Sequence, residues 1–504
     1  MRAILIITLF LVLSSCATTR IAQDPQPKRE FRGVWLATVV NIDWPLRPML
    51  DWPIQQQGYI QLLDHYRELN FNAVIVQIRT AGDAFYPTTL APWSKYITGT
   101  EGLSPVYAED PLEWMIREAH QRGMEFHAWL NPYRATFDDK VETLSLDHDY
   151  YKHPEWMIKY GTKYYYDPGN PEVKAHLVNV IRDVVERYPV DAIHFDDYFY
   201  PYKITGEIFD DLTSFELYAE ENQHIDDWRR ANVNHLVRDI HSMIQATKPW
   251  VQFGISPFGV WRNAHVDPRG SDTRAGQTNY DDLYADALTW MENGWIDYLI
   301  PQLYWSMEYH LASHRKLVDW WAVNHHGVNI YIGNGPYKIR NNEDKAWEDI
   351  EEIPRQVAYA RDFETVQGNA FFSAKSLTGS NLDVANLLRA NFYRYPALTP
   401  VSPFALGDKP NPISSISIRY EGDSATFRLA SPIAEDIQYV VIYGQRQKSG
   451  LNTADPTQII EKIAVNRGQS YISLPMRRRA LPRHMAFTLL NRYGIESNPY
   501  QIKR

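Results

Sequence analysis

Asp196 and Asp197 stand side by side at the end of an apolar run, in VDAIHFDDYFYP. A pair of carboxyl groups suits the cleavage of an acetal. One acid protonates the departing oxygen, while the other acts as nucleophile, as base on a water, or as counter-charge to the oxocarbenium ion. The competing reading is that one of the two simply caps the next helix or pairs with a cation such as Arg79. Asp196 is the first choice for nucleophile or oxocarbenium stabiliser, with Arg79 as the cation that would keep it ionised. The second acid has to come from a loop: Asp197 itself, Asp43 in NIDWP, Asp83 in TAGDAF, or, ranked lower, Glu308 after YWSM.

Strands must bring such groups together. Eight short β-rich runs alternate with helical patterns along the chain: FRGVWLAT, FNAVIVQIR, EFHAWLNPYR, DAIHFDDY, QFGISPFG, DYLIPQLYW, VNIYIGNGPY and NAFFSAK. Helices are expected from Pro111 to Arg122 and from Pro171 to Tyr188. Eight such alternations predict an α/β fold of the (β/α)8 type, a TIM barrel. The rival, a doubly wound sheet, usually carries a glycine-rich phosphate turn after its first strand, and GVWLATVVNIDWP has none.

In a barrel, one strand face meets the helices and the other meets the axis, so parity sorts the side chains. Ile193 and Phe195 fall outward, which turns His194 and Asp196 inward. Val74, Val76 and Ile78 fall outward, which turns Gln77 and Arg79 inward. Asn131, Ser256, Gln302, Tyr304, Ser373 and Lys375 are inward by the same rule, toward the C-terminal strand ends where barrel enzymes place their sites. Asp197 has outward parity but sits where its strand ends, free to turn either way. His194 lies beneath Asp196 and reads as a hydrogen-bonding orienter.

Trp35, Trp44, Tyr133, Tyr198, Tyr304 and Trp305 lie at or just beyond strand ends, where ring faces stack against pyranose faces or pack in the core. Asn131 and Arg134, in WLNPYRA, read as donors to hydroxyl or N-acetyl groups, unless Arg134 pairs with a neighbouring acid. The chain has 16 Trp and 33 Tyr, which suits such stacking. Its net charge of -10 argues against nucleic acid as a partner. Without a Walker loop, a paired CxxC or an HExxH, no cofactor and no metal is expected.

Residues 1–16, MRAILIITLFLVLSSC, read as an export signal too short to span a bilayer. Leu13-Ser14-Ser15-Cys16 resembles a bacterial lipobox, which makes Cys16 the site of lipidation. As the single cysteine, Cys16 also rules out a disulfide within the chain. Residues 17–29 read as a tether, residues 30–400 as the barrel, and residues 410–504 as a small β-sandwich of short alternating strands. The ending LNRYGIESNP resembles the last hairpin of fibronectin type III modules, and a spacer or interaction role is expected of it.

FRGVWLATVVNIDWP, RTAGDAFYPTTLAPWSKYITG, GMEFHAWLNPYRA, DAIHFDDYFYP and WIDYLIPQLYW, in that order, resemble the glycosyl hydrolase-like family ten, from about Glu30 to about Tyr395. The resemblance implies a (β/α)8 barrel, a role in cell-envelope carbohydrate metabolism and, in some members, hydrolysis of peptidoglycan strands that lack stem peptides. The lipobox fits that role independently, so a lipid-anchored protein of the bacterial envelope facing the periplasm is expected, with a polysaccharide as partner. A lytic transglycosylase and a non-catalytic glycan-binding lipoprotein stay open as alternatives.

Overall fold

The computed structural model describes residues 26–503 apart from residues 50, 107–108, 446–449 and 478–479. The export signal, Cys16 and most of the tether lie outside the described residues. Residues 26–29, assigned to the tether from sequence, are docked. Arg29 donates to the carbonyls of Thr399 at 2.7 Å and Gly494 at 2.9 Å, and Lys28 pairs with Glu496 at 2.5 Å.

All eight expected strands form: β1 (Phe31–Leu36), β2 (Ala73–Arg79), β3 (Glu125–Leu130), β6 (Ala192–Phe195), β7 (Gln252–Ile255), β8 (Tyr298–Leu299), β9 (Asn329–Asn334) and β10 (Val366–Phe372). They close into a parallel barrel in the order β1-β10-β9-β8-β7-β6-β3-β2. An added hairpin, β4 (Met157–Tyr160) and β5 (Lys163–Tyr166), stands between β3 and the helix Pro171–Arg187. That helix and Pro111–Gln121 each begin on a proline, with Asn170 and Asp110 as caps accepting from Glu172 N and Leu112 N. Proline at the first position sacrifices no intrahelical bond, because that N–H would be unpaired anyway.

Parity sorts the core as the alternation predicts. Val34, Val74, Val76, Ile78, Phe126, Ile193 and Phe195 pack outward against the helices. Phe31, Trp35, Ile75, Trp129, Tyr298 and Tyr331 fill the barrel axis. Phe31 stacks on Tyr331 with centroids 4.1 Å apart, and the Tyr298 ring lies where Gly254 has no side chain: a Cβ there would sit 1.9 Å from Tyr298 Cζ.

Parity fails at one strand end. The β2–β3 register slips between Gln77 and Arg79, so that Gln77 opposes Trp129 while Arg79 opposes Leu130. Leu130 belongs to the outer core. The extra residue therefore puts Arg79 on the outward parity, contrary to the inward placement expected from its sequence.

β11 (Ile416–Glu421), β12 (Ser424–Leu429) and β15 (Tyr471–Leu474) form one antiparallel sheet of the C-terminal β-sandwich. The other is β14-β13-β16-β17, from β13 (Ile437–Gln445), β14 (Ile459–Ala464), β16 (His484–Asn491) and β17 (Tyr500–Lys503). Val440 and Ile442 face the core between the sheets, whereas Tyr439, Val441 and Tyr443 belong to a second cluster with Leu398 on the barrel side. Burial on both faces explains why IQYVVIY is a continuous apolar run. The contact is made at the N-terminal ends of the barrel strands. Gln438 donates to Asp191, the residue before β6, and Tyr439 Oη donates to the carbonyl of Met124, the residue before β3.

Candidate active site

At the opposite end of the barrel a cavity of about 440 Å³ opens over the strand termini. Asp196, Asp197, Gln77, Arg134, Ser256 and Gln302 supply its polar wall, and Trp35, Trp129, Tyr198, Tyr202, Tyr304, Tyr337 and Phe372 much of its aromatic wall. β6 ends at Phe195; Asp196 keeps the inward direction of the alternation, Asp197 is no longer held outward by it, and both carboxyls reach the cavity while only 5% and 4% exposed.

Asp196 is held by a relay of amides. The backbone N–H groups of Thr38 and Val39 donate to Gln77 Oε1 at 3.1 and 3.0 Å. Gln77 Nε2 then donates to Asn131 Oδ1 at 2.7 Å, and Asn131 Nδ2 donates to Asp196 Oδ2. Each amide has one end fixed by the next, so the loop after β1 sets the carboxyl's orientation three residues away in the chain of contacts. Tyr198 N donates to Asp196 Oδ1 at 3.2 Å.

Burial, then the neighbouring charge of Asp197, pushes the Asp196 carboxyl up to about 7 against the pull of Arg134, Tyr198 N–H and Asn131. Burial raises Asp197 as well, opposed by hydrogen bonds from the Tyr202 hydroxyl and Gln302. Both carboxyls are thus held above the usual carboxylate range, and the two titrate as a coupled pair.

His194 lies beneath the acids in the barrel axis, fully buried. Trp35 Nε1 donates to its Nε2 at 3.2 Å, which leaves Nδ1 as the N–H facing the Tyr298 hydroxyl at 3.1 Å. Tyr298 in turn donates to His127 Nδ1 at 2.8 Å. Burial holds His194 well below the usual imidazole range, so it is a neutral strut under the site.

Several residues expected at the site lie elsewhere. Asp43 does not line the cavity. Its carboxylate accepts from Ala37 N, Ser373 Oγ and Lys375 N, each at 2.7 Å, and so ties the exit of β1 to that of β10. Asp83 folds its own loop, accepting from Thr80 N at 2.9 Å and Ala81 N at 3.0 Å. Arg79 donates to the Asp83 carbonyl and to Tyr166 Oη, and the cation that acts on Asp196 is Arg134. Trp44 packs edge-on against Trp52, its Nε1 donating to Gln55 O at 2.7 Å. Tyr133 is buried because β3 has already ended and its carbonyl is taken by Tyr166 N at 2.8 Å. Trp305 and Glu308 line a separate groove, and Lys375 is exposed in a turn after β10.

Lys163, Tyr202, Trp129, Tyr337 and Phe137 line the cavity but were not singled out from sequence. The β4–β5 hairpin that carries Lys163 had a signal in MIKYGTKYYY, two β-rich runs around a glycine turn. Tyr202 had none, since its role depends on how FYPYK turns back over Asp197.

A family described as Glycosyl hydrolase-like 10 matches residues 30–349. The glycosyl hydrolase YngK of Bacillus subtilis strain 168 is 49% identical over 385 residues, which cover 76% of this chain and 75% of the relative. The glycosyl hydrolase DigH of Escherichia coli strain K12 is 38% identical over 369 residues, covering 67% and 83%. With the barrel, the family match and these relatives in agreement, the chain belongs to the Glycosyl hydrolase-like 10 family and is an enzyme of the glycoside hydrolase class.

Proposed function

We propose that this protein hydrolyses a cell-envelope glycan, peptidoglycan strands lacking stem peptides, with the Asp196–Asp197 pair as its catalytic carboxyls. The observation that carries the reading is that pair, buried at the C-terminal end of β6 in an aromatic-lined cavity, with both carboxyls raised. In this reading Asp196, its carboxyl pushed up to about 7, protonates the leaving glycosidic oxygen, a different role from the nucleophile or oxocarbenium stabiliser expected from sequence. Asp197, ionised first, faces the positive charge that develops on the sugar ring. Trp35, Tyr198, Tyr304 and Gln302 line the space where sugar rings and hydroxyls would lie.

The lipobox supports anchoring through a lipid on Cys16 in a bacterial envelope membrane, the enzyme facing the periplasm. The sandwich, three strands on four, supports the fibronectin type III-like reading. Its barrel-facing sheet supports a bracing role over glycan binding. A binding-only protein is the less favoured reading, because Asp197 supplies the second carboxyl that such a protein would not need.

The test is a digest of peptide-free strands and intact sacculi by the protein from residue 26 onward, and by Asp196→Asn, with products read by mass spectrometry. Reducing-end fragments from the wild type that vanish in the variant are expected. Anhydro ends would convert the mechanism to transglycosylation, and strands bound without products would favour the binding-only reading.

A further inference from the structure

Two cations share the cavity with the acids, and neither is neutralised by an ion pair among the described residues. Arg134, 4% exposed, lies with its guanidinium carbon 4.1 Å above the Tyr198 ring. It donates to the Thr80 carbonyl at 3.4 Å, while its buried Nε has no hydrogen-bond partner. Lys163 reaches the same cavity from β5, its ammonium 5.2 Å over the Phe137 ring. Arg134 is the charged group beside it, and burial and that like charge both lower its affinity for a proton.

A buried guanidinium with an idle N–H, next to a second cation that repels it, is costly in the empty site. An anion between them would relieve the repulsion and neutralise the unpaired charge. A neutral sugar would not. The acids meet this need only in part: the charge of Arg134 pulls on both, but it forms an ion pair with neither among the described residues.

We propose that Arg134 and Lys163 form an anion subsite on the cavity wall that takes the carboxylate of an acidic sugar. This rests on the glycan-hydrolase reading above, and it specifies the substrate further: in a peptide-free strand the lactyl carboxylate of each muramic acid is free and charged. In a peptide-bearing strand the same carboxyl is an amide, neutral and larger. The subsite thus selects for strands from which the peptides have been removed, and the reaction class that must precede this enzyme is amide hydrolysis at that lactyl group.

The experiment compares peptide-free strands with the same strands after carbodiimide conversion of their carboxylates to methylamides. Wild type is expected to cleave the free-carboxylate strands about tenfold more efficiently in kcat/KM, the scale of one charge-assisted hydrogen bond. Lys163→Gln brings that ratio toward one, largely through KM, and Lys163→Arg restores it; thermal unfolding of each variant checks that it is folded. Equal cleavage of both strands by wild type, or a ratio unchanged in Lys163→Gln, overturns the subsite and leaves the hydrolase reading standing. Binding is measured in parallel on the Asp196→Asn background. If wild type cleaves neither strand while this background prefers the free carboxylate in a Lys163-dependent way, the subsite stands and hydrolysis of these strands falls. If neither strand binds, both readings fall.

Discussion

Asp196 combines burial with a charged neighbour, and both effects act in one direction. Its proton is held up to about pH 7, so kcat/KM should fall as pH rises through that value, and also fall at acid pH where Asp197 becomes protonated. A steady-state pH profile would reveal the two limbs. The same shift carries a stability consequence. A carboxyl whose folded pKa lies above its unfolded value favours folding at low pH, and this contribution is lost as pH rises toward 7. Asp196→Asn cannot ionise, so it should raise the thermal midpoint at pH 8.5 by about 2–4 °C and less at pH 5, while abolishing turnover. An unchanged midpoint at both pH values would show that the buried charge costs nothing. At this scale the sequence was informative where strands impose parity: Asp196, Asn131, Gln77, Ser256 and Gln302 all follow the alternation into the site. Asp43, Asp83 and Trp44 sit in loops, where no period links position to direction. Their side chains answer to local backbone donors and packing instead.

The loop after β1 orients the acid on β6 without touching it, through Gln77 on β2 and Asn131 beyond β3. Gln77→Met keeps the length of the side chain and removes both amide ends, freeing Asn131 to rotate. It should lower kcat by about 100-fold, as expected of a catalytic group displaced by roughly 1 Å, with KM changed much less. A loss confined to KM would mean that Gln77 contacts substrate rather than orienting the acid. The eight strands themselves were legible because each is short, apolar on alternate residues and bounded by a turn or a helix cap. The one-residue bulge that turns Arg79 away was not legible, since AVIVQIR alternates without interruption and the slip exists only against β3. The same limit hid the burial of Tyr133, whose direction is set by the β4–β5 hairpin through Tyr166 N.

The cavity that holds Asp196 and Asp197 and the sandwich occupy opposite ends of the barrel, so the C-terminal module is expected to act on stability rather than on chemistry. Short strands with turn residues announced a sandwich, but the docking of its barrel-facing sheet showed only as unbroken apolarity in IQYVVIY, which reads equally well as a strand buried within one domain. Tyr439 is the natural place to separate the two roles. Its ring lies under the Lys462 ammonium at 4.3 Å, and its hydroxyl donates to Met124 O at 3.3 Å, just before β3 begins. Tyr439→Ala removes a fully packed ring from the contact and should cost about 3 kcal/mol, the range for large aromatic deletions. Because the barrel and the sandwich each keep their own core, the loss should appear in calorimetry as a separation of one unfolding transition into two. kcat/KM measured below the first transition should stay at the wild-type value, since no residue of the relay from Thr38 to Asp196 touches the interface. A single transition accompanied by lost activity would instead mean that the sandwich holds the barrel's catalytic end in shape from the far side of the fold.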